Sequence, residues 1–173
     1  MKPREIAARI AEMKAGLVYS GMGGLILSMR PDRARILELF DLPPDGFIQH
    51  GRKTGPMHKL AIAPYFHGGE VDGSTNLGMI KVWPNLMILE LGHLLAEEDY
   101  FDKRPLFEFV RHVRNAIAHG GRFHIKGKWW RDAIFDGIQL SKDYDGRLLK
   151  DAVLPGDMLA LIDAVELQLM ELS

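Results

Sequence analysis

The run LFEFVRHVRNAIAH, residues 106 to 119, constrains the fold more than any other stretch of the chain. Wound at roughly 100° per residue, it puts Leu106, Phe109, Val110, Val113, Ala116 and Ile117 on one side. Arg111, Arg114, Asn115, Ala118 and His119 fall on the other, with His112 at the edge. The first set reads as a core face and the second as a contiguous polar face, because positions three and four apart stack on a helix. Gly120 and Gly121 follow at once and can adopt the positive φ that ends a helix.

The rest of the chain supplies partners for that core face. Residues 3 to 29 read as a long helix in which Ile6, Ile10, Met13 and Leu17 keep helical spacing, interrupted by Gly21, Gly23 and Gly24. A phosphate-binding glycine loop does not fit there, since no strand precedes it and no lysine follows at the needed offset. Pro31 breaks this helix and begins a short one, PDRARILELF. Residues 42 to 83 hold seven glycines and four prolines and read as an irregular insertion. Within it HKLAIAPYF and GMIKVW suit strands, or STNLGMIKVW a helical turn. Pro84 reads as the first residue of a third helix, PNLMILELGHLLAEEDYF. After the 106–119 helix, AIFDGIQLS and GRLLKDAV suggest a small hairpin turned at Asp145-Gly146. A last helix, PGDMLALIDAVELQLMELS, is apolar around much of its circumference and so is expected to be buried on more than one side. The expectation is one mainly α domain over residues 1–173, about five helices with a small β-hairpin near residues 130 to 150.

Composition narrows the chemistry. With no cysteine among 173 residues, a disulfide framework, thiolate metal sites and a cysteine nucleophile are all excluded. The most apolar stretch, GLVYSGMGGLILSM, is too short to span a bilayer, and the N-terminus has no signal-type apolar run, so a cytoplasmic protein with no membrane partner is expected. The net charge of −1 hides an uneven distribution. From Lys103 to Arg131 there are eight basic residues and one acid, Glu108, so this window carries +7 and the remainder −8. A basic island in an acidic chain is the footprint of a polyanion, or else a solvated surface. His50, His58 and His67 match no metal spacing and read as loop histidines; His93 reads as a packing histidine. No metal-ligand set or cofactor is implied.

Within the basic window, RNAIAHGG carries the residue types that phosphodiester transfer requires. A guanidinium holds phosphate oxygens bidentately and offsets charge that builds in the transition state. An imidazole titrates near neutrality and moves a proton to or from a ribose hydroxyl. Asn115 does not titrate, so its role is to orient the phosphate or the imidazole. Without a metal, RNA is the fitting substrate, because its 2′-hydroxyl is an internal nucleophile. A solvated polar face followed by a glycine stop accounts for the same residues without chemistry.

The motif resembles the R-x4-6-H motif of the HEPN superfamily. The agreement extends to the hydrophobic helix leading in, GGRFH leading out, a tryptophan-bearing stretch and the final helix, covering residues 84 to 173. The resemblance implies a HEPN-like helical bundle that dimerises through the helix bearing residues 106–119. It implies a metal-independent endoribonuclease acting by 2′-OH transesterification, as a toxin or anti-phage defence effector with an antitoxin partner. The alternative is a non-catalytic module that binds RNA, nucleotides or protein. Carried over by position, Arg114 contacts the scissile phosphate, Asn115 supports it and His119 is the acid or base. Arg111, Arg122, His124 and Lys126 are candidate substrate contacts, with Lys128 beside them. Trp129 and Trp130 would stack on bases or pack in a core or dimer contact. Some toxin members carry a tyrosine two positions after the histidine; that position here is Gly121, so regulation through it is not implied. Since one copy of the motif offers a single histidine, a two-fold dimer is the expected source of a second.

Overall fold

The computed structural model describes residues 2–28, 35, 38, 46–50, 53–61, 73–125 and 131–173. Four α-helices lie among them: α1 (Pro3–Ser28), α2 (Gly73–Glu97), α3 (Pro105–Ala118) and α4 (Pro155–Glu171). Two antiparallel hairpins accompany them, β1 (Phe47–His50) with β2 (His58–Ala61) and β3 (Ala133–Phe135) with β4 (Ile138–Leu140). The mainly helical class with a small β element is therefore as the sequence predicts. Of the short helix expected after Pro31 only Arg35 and Glu38 are described, both helical, and His67, Lys126, Lys128, Trp129 and Trp130 lie outside the described residues.

The chain divides into two compact units, residues 18–77 and residues 1–17 with 78–173. In the first, β1 and β2 pair from Phe47 opposite Ala61 to His50 opposite His58, so part of the segment read as irregular is a hairpin. The second holds the hydrophobic core. From α1 come Ile6, Ala7 and Ile10, and from α2 Met87, Ile88, Leu91 and Leu95. From α3 come Phe107, Phe109, Val110 and Val113, and from α4 Met158, Leu161, Ile162 and Val165. Each is almost wholly withdrawn from water, which stabilises the fold by about 1.5–3 kcal/mol for a large apolar side chain. Tyr100 meets Phe107 edge-on with ring centres 5.8 Å apart, and Phe109 meets Phe135 of β3 at 5.6 Å. Lys14 of α1 bridges Asp163 and Glu166 of α4, and Arg9 reaches Glu90 of α2 at 3.6 Å.

Four local expectations need correction. Pro84 does not open the third helix; α2 begins at Gly73 and carries Pro84 as an interior residue. A missing proline N–H costs one backbone hydrogen bond, and the helix continues because Pro84 and the residues after it are buried on its inner face. Likewise α1 runs on through Gly21, Gly23 and Gly24 to Ser28. The hairpin after α3 turns at Asp136-Gly137, both at positive φ, rather than at Asp145-Gly146. The GRLLKDAV segment instead lies against GGRFH, with Arg122 bridged to Leu148 and Phe123 donating to the Arg147 carbonyl at 3.0 Å. Finally, α4 is buried along one side only. Leu167 and Met170 on its other side are 65 % and 53 % exposed.

Candidate functional site

Helix α3 starts at Pro105, where the missing N–H is no loss, and ends at His119, whose N–H donates to the Asn115 carbonyl at 3.0 Å. Beyond it Gly120 and Gly121 both adopt φ +76°, and Gly121 N–H closes the helix on the Ala116 carbonyl at 2.8 Å. This is the glycine C-cap that the sequence suggests. It also reverses the chain, because the Gly121 carbonyl accepts from Leu149 N–H at 2.8 Å and the Phe123 carbonyl from Gly146 N–H at 2.9 Å. Ile125 N–H is held by the Asp145 carboxylate at 2.9 Å. In this extended segment side chains alternate: Phe123 and Ile125 point into the core, and His124 points out.

That alternation brings His124 back to the helix end. The His119 and His124 rings meet edge to face, 5.0 Å between centres and 76° between planes. Both side chains are exposed. A second imidazole thus lies beside His119 within the same chain, five residues on. The sequence marks His124 only as a substrate contact; its signal was the period-two pattern of RFHI directly after a glycine pair.

Arg114 is half-buried rather than fully solvated. Its stem lies on Gly92 of α2, where a Cβ would come within 2.6 Å of Arg114 Cγ and 2.9 Å of Arg114 Cβ. Any other residue at position 92 would force the arginine or the helix to move. Arg114 Nη1 donates to Asn115 Oδ1 at 3.0 Å, so Asn115 orients the guanidinium. Arg114 Nε is buried with no hydrogen-bond partner among the described residues. Leaving a donor unmatched is costly, and an anion's oxygen is one way to satisfy a guanidinium left in this state. Gly92 is a site residue that sequence reading passed over, although a lone glycine inside LELGHLL is a signal of close packing.

The remaining candidates divide. Arg111 does not point toward this cluster: its Nε donates to Glu108 Oε2 at 2.9 Å and its Nη2 to Glu108 Oε1. Glu108 is 1 % exposed and also lies 3.5 Å from His112 Nε2, itself 6 % exposed. Burial alone would push the Glu108 carboxyl up, but hydrogen bonds and charge from His112 and Arg111 outweigh it and hold the carboxyl below its ordinary range. Arg111 therefore neutralises a buried acid. Arg122 Nη1 donates to the Gly146 carbonyl at 2.9 Å and its side chain is exposed. His93 is exposed and pairs with Glu97 at 3.2 Å rather than packing in the core.

A cavity of about 410 Å³ opens at the same end of α3, with Gly120 and Gly121 on its wall. Among the described residues no cluster of three or more His, Asp or Glu side chains is placed to hold a metal ion, and no helix is long and apolar enough to cross a membrane. The site stands on its own geometry, for no protein-family model, curated protein or solved structure matches this chain.

Proposed function

We propose that this protein is a metal-independent endoribonuclease of HEPN-like character, with its reactive centre at the C-terminal end of α3. The observation that carries this reading is the His119–His124 contact at 5.0 Å, with an exposed face and no acidic partner for either ring among the described residues. Acid–base cleavage of RNA needs one group to accept a proton and another to donate one at the same phosphorus. Neighbouring imidazoles meet that need, because the attacking 2′-oxygen of the ribose and the departing 5′-oxygen meet at one phosphorus, with one ring turned to each.

The reaction balances with protons alone. One imidazole takes the proton of the ribose 2′-hydroxyl as the 2′-oxygen bonds to phosphorus. The bond from phosphorus to the 5′-oxygen breaks, and the other imidazole, protonated, supplies that oxygen with its hydrogen. The products are a 2′,3′-cyclic phosphate and a 5′-hydroxyl end. Arg114, held by Asn115 and seated on Gly92, supports the charge on the non-bridging oxygens, and Arg122 adds positive charge at the rim. A toxin or anti-phage effector restrained by an antitoxin protein is the biological setting this proposal carries. A homodimer across α3 belongs to it as well, but His124 removes the need for a partner's histidine.

The test is incubation of the full chain with end-labelled single-stranded RNA in EDTA. Fragments ending in 2′,3′-cyclic phosphate support the enzyme. RNA that is retarded but stays intact would favour a binding module and retire the catalytic assignment.

A further inference from the structure

The cavity beside Gly120 has a composition that the cleavage chemistry does not use. Its floor is apolar, formed by Leu149, Val153 and Met158. Lys81, Lys150 and Asn85 also line it, and among the described residues no acidic side chain does. At about 410 Å³ it falls within the range of about 300–1,000 Å³ common for small-ligand sites. An apolar floor under two cations suits a molecule with a flat apolar body and an anionic group. The amide adds a donor and an acceptor able to read a polar edge.

The cavity is also joined to the candidate centre by shared elements. Lys81, Asn85 and Gly92 are four and seven residues apart along α2, so they follow one face of that helix. Gly92 seats Arg114, while Lys81 and Asn85 line the cavity. On α3 the wall begins at Gly120, the residue after His119. The ligand with a flat body, a polar edge and a phosphate one bond system away is a nucleotide.

We infer that this cavity is a nucleotide subsite. On the cleavage reading above, on which this placement rests, it takes the nucleotide on the 5′ side of the cut phosphate: its base lies over Met158 and Val153, Lys81 and Lys150 hold its 5′-phosphate, and its 3′-phosphate, the one cut, lies outside the cavity at the end of α3. It therefore gives the enzyme a base preference.

Calorimetric titration of the full chain with the four nucleoside 5′-monophosphates, and with inorganic phosphate, tests this directly. At least one nucleotide binds in the micromolar to millimolar range, the four differ in affinity, and phosphate alone binds at least about tenfold more weakly. The Lys81→Ala/Lys150→Ala double variant, altered only at exposed positions, loses at least about tenfold in nucleotide affinity. On RNA it raises KM and flattens base preference while kcat is held. Because His119 does not line the cavity, His119→Ala binds nucleotide as the unaltered protein does. Equal binding of phosphate and nucleotide, no binding at millimolar concentration, or a double variant that binds normally would each overturn the subsite. Nucleotide binding without any RNA cleavage would retain the subsite and overturn the ribonuclease; cleavage indifferent to Lys81 and Lys150 would do the reverse.

Discussion

Two turns of α3 carry nearly the same side chains in opposite states. In the first, Arg111 and His112 close on Glu108, whose carboxylate is buried between them. In the second, Arg114 and His119 have no acid among the described residues, and the neighbours they do have are an amide, a glycine and a second imidazole. The difference lies in one carboxylate. Where it is present, positive groups are spent on an internal charge and the cluster holds the fold. Where it is missing, the half-buried arginine and the exposed imidazole keep their positive character without an internal acid among the described residues, and an external anion is their natural complement. The basic window seen in the sequence is thus two things, a structural knot and an open cluster proposed as an anion site, and net charge does not distinguish them.

Experiments that break this contrast are best ordered by the size of the effect. The largest belongs to the open turn: His119→Ala and His124→Ala should each slow RNA cleavage by about 10²–10⁴-fold. Both rings are exposed, so urea midpoints should move by no more than about 0.5 kcal/mol. Loss of folding in either variant would make the pair structural. Next comes the closed turn, where Glu108→Ala leaves buried His112 facing Arg111 and should cost about 3 kcal/mol, read by urea unfolding. The fraction that stays folded should still cleave; if stability is unchanged, the carboxylate is not what ties that turn together.

Gly92→Ala tests the seam between the two. A Cβ placed 2.6 Å from Arg114 Cγ must move the arginine or the helix, an overpacking cost of about 1–3 kcal/mol. Cleavage should fall along with stability, whereas Arg114→Lys should lose cleavage with less change in the unfolding midpoint. The smallest effect is in pH. Glu108 is held below the ordinary carboxylate range in the folded protein, so the unfolded chain takes up a proton there first as pH falls. Its contribution to stability is complete above the unfolded value and is lost as pH drops through the lower folded one. The stability gap between the protein and Glu108→Gln should therefore narrow in acid and be flat near neutrality.

Much of this was legible in the sequence, and what was not has identifiable causes. The apolar spacing of α3 and of Ile6, Ile10, Met13 and Leu17 gave the core correctly, because one buried side leaves a periodic trace. Glu108 and His112 escaped because β3 and its Phe135 cover α3 from a second direction, and a helical wheel knows only one. Pro84 fits both the first turn and the interior of a helix, so residue type alone did not place it. The motif showed Arg114, Asn115 and His119 together; it did not show the imidazole contact, which depends on how the chain leaves the helix.

That exit is a matter of handedness. Gly120 and Gly121 both hold φ +76°, and a Cβ built on either meets nothing within 4 Å. Space therefore does not exclude a side chain there; only its chirality does. An L-alanine at Gly120 would strain the backbone by about 1–2 kcal/mol, and the chain could relieve it by swinging His124 away from His119. A D-alanine introduced by semisynthesis would sit in its own favoured region and stiffen the reversal. The mirror-image residue should thus preserve the two-imidazole contact that the natural one would lose, which makes the geometry of the histidine pair a function of stereochemistry at two carbons that have none.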